Sequence, residues 1–321
     1  MDYPSMGTKV EAAGRKAIQI ANYVVELSVM TILVLLAAFT GYALWDTNQL
    51  HQAAASKNYA VYKPTVENEG KTFQELQVIN PEVCSWLTVY GTRIDYPVTQ
   101  GQNNMKYVNT NAEGKYSLSG AIFLHYKNSR DFSDFNSILY GHHMAESAMF
   151  GEIRTFSNRE VFESHRYGNL YIDGKEYGIE FFAFVHCDAY DRTIFTANVE
   201  ESQRQAYLNG LMSKAMYSRD IGVTTADRII LLSTCSTEST NGRDILVGRI
   251  TSKLYADTFK TTKTEVEKAQ ANIDKPSGIP NWQWTLIASL TIIIVMALDV
   301  LIILSLIKRR RAARARKAAG K

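Results

Sequence analysis

Only three cysteines, Cys84, Cys187 and Cys235, occur in 321 residues, and none sits in a C-x-x-C pair or beside a histidine-rich ligand cluster. That scarcity argues against a structural zinc site, which needs four such ligands at close spacing. Internal repeats and low-complexity runs are also missing, which argues against solenoids and fibres. The chain further lacks a basic body. Its formal net charge is +3, yet residues 46–281 hold 24 Lys plus Arg against 28 Asp plus Glu, a difference of 24 − 28 = −4. The positive charge is concentrated in the last fourteen residues, which carry eight Lys or Arg and no acid. A nucleic-acid partner is therefore not expected, since phosphate binding needs a cationic face on the folded part.

What is present is apolar sequence at both ends. Residues 27–45, "LSVMTILVLLAAFTGYALW", contain no charge, and residues 284–307 contain only Asp299. Each is long enough to cross a bilayer as a helix. Lys9, Arg15 and Lys16 precede the first run and "KRRRAARARK" follows the second, so the bias of Lys and Arg predicts that both termini are cytoplasmic. Trp45, Trp282 and Trp284 stand where interfacial anchors belong. The small residues of "LLAAFTGYA" leave a cleaved signal peptide as the rival for the first span. Asp299 either pairs within an oligomer or snorkels. The expected organisation is a cytoplasmic tail over 1–26, a membrane helix over 27–45 and a helical stalk over 46–71. A folded outer domain over 72–255, a linker over 256–281, a second membrane helix over 282–307 and a basic cytoplasmic tail over 308–321 complete it. The middle of the chain then lies outside the membrane, where an odd number of cysteines leaves at least one thiol free.

The outer domain reads as mostly β. "SWLTVYG" alternates and "GTRIDYPV" suits its hairpin partner; "GAIFLHY" and "FNSILYGHHM" are short apolar runs punctuated by turn residues. Two β-rich runs flank "DGKEYG", a strong hairpin signature. In "NVEESQRQAYLNGLMSKAMYSRD", Leu208, Leu211, Met212 and Ala215 recur at the helical period. "RIILLSTC" and "RDILVGRI" then return to strand. Many short strands with one late helix predict a barrel or sandwich rather than a parallel α/β sheet.

A thiol outside the membrane needs a reason to stay free. Catalysis would supply one, given a proton-handling partner and donors for the oxyanion formed on attack at a carbonyl. Histidine is the usual partner. The pair in "LYGHHM" ends an apolar run after a glycine, as expected at a strand end facing a cleft, and adjacent strand residues face opposite sides, so one of His142 and His143 is expected to face Cys235. The bland alternatives are a small core residue at Cys235 and a solvated strand end at Arg243.

Several of these segments, taken in order, resemble the sortase family. "LLSTC" is similar to its cysteine motif, with Leu231 where the family carries a threonine; Arg243 in "GRDILVG" follows eight positions later; "ILYGHHM", "RIDYPVTQGQNNMKYV" and "SGAIF" resemble the class B branch. The resemblance covers about residues 78–254. It implies a closed sortase-type β-barrel with a late inserted helix and an N-terminal helical segment, and no cofactor or metal. In the implied roles Cys235 is the nucleophile, His142 the general acid and base, and Arg243 the holder of the substrate backbone or oxyanion. Asn104 matches a position near the family's active site. Cys84 and Cys187 are expected to be structural, with a disulfide between them left open, and His125 stands where class B relatives carry an acid.

The implied activity is cleavage of a C-terminal sorting signal through a thioester, with transfer of the acyl part to an amine at the cell surface. The acceptor is a peptidoglycan cross-bridge or lipid-linked precursor, or, in the alternative reading, a pilin lysine during pilus assembly. A C-terminal span suits the second reading; the absence of an Asp-Pro lid before the barrel argues against the class C branch. A non-catalytic surface binding module and a plain thiol endopeptidase are the remaining rivals.

Overall fold

The computed structural model describes residues 6–65, 70–144, 147–235 and 241–259. The second apolar run and most of the predicted linker lie outside the described residues. Contacts divide the chain into two units, residues 1–46 with 269–321, and residues 47–268.

Helix α1 (Met6–Ala54), most of which lies in the first unit, contains Gly14–Thr47, 34 residues that are long enough and, over an 18-residue window of mean hydropathy 2.2, apolar enough to cross a membrane. Its hydroxyls bond back to the helix itself: Ser28 to the Val24 carbonyl, Thr31 to Leu27 and Thr40 to Leu36. Such bonds leave little for an apolar surround to desolvate.

Among its described residues the second unit is built on nine strands: β1 (Val83–Val89), β2 (Asp95–Thr99), β3 (Ile122–Leu124), β4 (Asn136–Tyr140), β5 (Tyr167–Ile172), β6 (Lys175–Asp188), β7 (Ala215–Ser218), β8 (Arg228–Cys235) and β9 (Gly242–Thr251). Their order is β5-β1-β2-β3-β4-β8-β9-β6-β7, and β5 also pairs β6. That last pairing closes eight strands into a barrel and leaves β7 attached to β6. The fourteen-residue β6 makes this possible. Its first half pairs β5, Ala183–Val185 pairs β7, and β9 runs along both halves. The β5–β6 turn is the "DGKEYG" hairpin, with Asp173 at φ 45° and Gly174 at φ 81° between the paired Ile172 and Lys175. Two left-handed residues give the turn whose twist matches its strands.

Alternation sorts the strand residues into two cores. Leu139, Ile230, Leu232, Leu246 and Phe184 join Leu87 and Tyr96 in one cluster. Ile138, Leu231, Ile245, Val247 and Val185 face the other way, where Tyr207, Leu208 and Leu211 of the late helix α4 (Arg204–Ser213) cover them. Two further helices, α2 (Lys71–Ile79) before the barrel and α3 (Arg159–Ser164) before β5, complete the unit. The late helix is shorter than its sequence pattern suggests. It ends at Ser213, Met212 remains 37% exposed, and Ala215 belongs to β7 because the edge of β6 offers it backbone partners at Val185.

Candidate active site

The strand ends at one rim of the barrel bring the expected residues together. β4 and β8 run parallel, pairing Asn136 with Ile229 through to Tyr140 with Ser233, and the Gly141 amide then donates to the Ser233 carbonyl at 3.2 Å. His142 follows Tyr140 by two residues, and Cys235 follows Ser233 by two. The backbone thus carries them to the same rim on neighbouring strands. On the other side of β8, Cys235 pairs in register with Arg243 of β9. Three adjacent strands therefore deliver the three positions. Gly141 has no room for a side chain: a Cβ there would stand 2.7 Å from the Phe150 ring.

The two histidines part company just past β4. His142 is half-buried, with Nε2 2.8 Å from the Val108 carbonyl. A carbonyl only accepts, so the proton sits on Nε2 and neutral His142 keeps Nδ1 as its base. His143 instead makes an isolated bridge to Met149 and buries an Nδ1 that has no partner among the described residues. Burial foremost, with the Arg154 charge, pushes the His143 pKa below the ordinary histidine value, while Asp244 pulls the other way.

The pleat of β9 explains this division. Arg243 and Asp244 are neighbours and so face opposite sides. Asp244 is buried, accepts from or shares a proton with His186 Nδ1 at 2.9 Å, pairs in register with Thr234, and acts electrostatically on His143. Arg243 is half-buried, and its Nη1 donates to its neighbour Gly242 at 2.9 Å. Its charge acts on Tyr140 and Cys187, in each case lowering a pKa that burial has pushed up. His143 thus shares a side with Asp244. His142 turns instead to the Val108 carbonyl, and Arg243 acts on Tyr140.

Beside Tyr140 opens a cleft of about 510 Å³, lined by His125, Tyr126 and Lys127 on one wall and by residues between Ala189 and Ala197 on the other. The Tyr140 ring stacks on Phe195 at 6.2 Å and tilts against His125 at 6.0 Å, so the cleft abuts the rim. Asn104 is half-buried and accepts the Tyr126 amide through Oδ1 at 3.0 Å. It supports the cleft wall rather than bonding to His142 or Arg243. Sequence reasoning missed the Val108 carbonyl, because a backbone acceptor leaves no mark on residue type. Tyr140 was visible in "ILYGHHM", next to the glycine and histidines.

Cys84 and Cys187 are free, buried thiols in the separate inner and outer cores. Burial pushes each up to about 12. Since the thiolate is the reactive form, iodoacetamide at neutral pH is expected to modify the native chain at Cys235 alone. Peptide mapping checks this, and labelling of Cys84 or Cys187 before unfolding contradicts it.

No protein-family model matches the chain. It is similar to sortase B of Listeria monocytogenes, at 31% identity over 182 residues, which cover 56% of this chain and 74% of that protein. A crystal structure of sortase B from the type II pilus of Streptococcus pneumoniae is 46% identical, with a TM-score of 0.50, covering 56% of this chain and 99% of that one. A class B sortase of Streptococcus pyogenes involved in pilus biogenesis is 39% identical, with a TM-score of 0.53, covering 57% of this chain and 99% of that one.

Proposed function

The chain belongs to the sortase family, in its class B-like branch, and from that premise we propose how this cysteine transpeptidase works and what it joins. Cys235 passes its thiol proton to Nδ1 of His142, and the thiolate so formed attacks the carbonyl of the scissile peptide bond in a C-terminal sorting signal. The Arg243 guanidinium meets the negative charge that develops on the carbonyl oxygen, a contribution that grows toward the transition state. His142 gives its proton to the departing amine, and the segment beyond the bond leaves. The acyl part remains on Cys235 as a thioester. An incoming amine then attacks, His142 takes up its proton, an amide forms and the thiolate is released. The β4–β8 register, which carries His142 and Cys235 to one rim with Arg243 on the next strand, is the observation that supports these roles most directly. Asn104 acts one layer out, by holding Tyr126.

For the acceptor, the lysine amine of a pilin is favoured over a cell-wall amine. The two pilus-associated relatives are 46% and 39% identical, against 31% for the Listeria enzyme. The apolar stretch in α1 supports an anchor, and the second span and cytoplasmic tails remain part of the same proposal, which sets the barrel at the outer face where substrates emerge. Comparing cells that carry the native chain with cells that carry Cys235→Ala tests the acceptor. A covalent ladder of surface-protein multimers, lost in the variant, is expected. Single surface proteins freed only by wall hydrolases would assign the acceptor to the wall instead.

A further inference from the structure

The cleft beside Tyr140 contains a donor that the chemistry above does not use. His125 is 9% exposed and held from several directions. Its amide donates to the Ile138 carbonyl at 2.8 Å, and its carbonyl accepts from Gln100 Nε2 at 3.1 Å. Its ring stacks on Tyr126 at 5.0 Å. Its Nδ1 accepts the Lys127 amide at 3.2 Å, which puts the ring proton on Nε2. Among the described residues no atom accepts from that Nε2–H, although the ring lines the cleft. The residue is nine-tenths buried, yet its Nε2–H is left for the cleft, where it can donate to a ligand oxygen.

The charges around it say which oxygen. Lys127 and Arg192 line the same cleft and are exposed, and Lys127 Nζ stands 5.7 Å from the centre of the Tyr126 ring. Asp191 also lines it, but its carboxylate is already engaged by Lys214 Nζ and by the Thr193 and Ile194 amides at 3.0 and 3.3 Å. Burial, with the nearby Lys127 charge, holds the His125 pKa below the ordinary value, so near neutral pH the ring is an uncharged donor and the two cations supply the field.

We propose that this cleft is a subsite for a carboxylate carried by one of the two substrates, with the His125 Nε2–H as its neutral donor and Lys127 and Arg192 as its cations. The inference rests on the transpeptidase reading and deepens it, because the cleft abuts Tyr140 and hence the rim where Arg243 lies. The carboxylate comes either from a side chain of the sorting peptide or from the acceptor amine.

The full chain is assayed with quenched peptides in which each position before the cleavage site is presented as a Glu/Gln pair, and with glycine against glycinamide as acceptor. One arm is expected to show a KM about tenfold lower for the carboxylate member, the scale of a single charge-assisted hydrogen bond. The arm that responds identifies the source. Arg192→Gln and Lys127→Gln, both at exposed positions, are expected to shrink that preference severalfold with little change in kcat. His125→Asp is expected to reverse it by placing a like charge in the cleft. Equal KM values in both arms, or a preference that survives all three substitutions, overturn the proposal. If the native chain turns over no peptide, the transpeptidase reading has failed. The same labelled pairs are then read by fluorescence anisotropy, where equal Kd values for carboxylate and amide reject the subsite itself.

Discussion

Replacing Cys235 with alanine is expected to lower the rate of peptide cleavage and of transfer by about ten-thousandfold or more, the scale seen when a covalent nucleophile is removed. The two other thiols offer no substitute. Cys84 lies in the inner core with its Sγ 3.4 Å from the Val98 carbonyl, and burial pushes its thiol up to about 12. Cys187 of β6 pairs in register with Arg243 of β9, yet it too is buried and pushed up to about 12. Neither presents a thiolate near neutral pH. Initial rates with a quenched sorting peptide measure the effect, alongside a denaturant melt to show that the variant folds. Activity within a few fold of the native chain would remove Cys235 from the mechanism.

The second large effect separates two adjacent residues. His142→Gln is expected to cost about a hundredfold to ten-thousandfold in kcat, the range for a lost general acid and base. His143→Gln is expected to change kcat only severalfold, since His143 lies on the Asp244 side of the sheet and buries its Nδ1 away from solvent. Stability should separate them in the other direction. A group whose folded pKa is depressed protonates more readily when unfolded, so the fold loses stability as pH falls through the ordinary histidine range. His143 and His125 both carry that depression, and His143→Gln should flatten the decline between about pH 7 and pH 5. A large kcat loss in the His143 variant with a small one in the His142 variant would exchange the roles.

Much of this molecule is legible before any coordinates. The "DGKEYG" hairpin is set by local chemistry, because two residues at positive φ need an Asp-Gly pair or its like. The strands of "SWLTVYG", "FNSILYG" and "RIILLSTC" follow from apolar runs bounded by turn residues, and each appears where expected. The end of α4 was not legible, since Ala215 continues a helical pattern and is diverted only by backbone partners that β6 offers from about thirty residues away. The strand pattern alone left barrel and sandwich open, and closure came only from the family resemblance, because it depends on one long strand serving three neighbours.

The site was legible in kind and only partly in arrangement. "LYGHHM" announces a proton-handling group at a strand end, but both histidines lie just beyond β4, where simple alternation no longer applies. The division between them emerges from β9, through the opposite faces taken by Arg243 and Asp244. Val108 and the cleft wall around Phe195 come from distant segments, and no local pattern brings them to Tyr140.

The most direct test is intact-protein mass spectrometry of the full chain incubated with a sorting peptide, before and after an amine is added. Without amine, the expected spectrum shows the chain heavier by the acyl fragment, with the adduct mapping to Cys235 and absent from Cys235→Ala. On adding the amine, the adduct should disappear and the fragment reappear joined to it by an amide. An adduct on another residue, or a fragment released only as the free acid whatever amine is supplied, contradicts transfer through a Cys235 thioester.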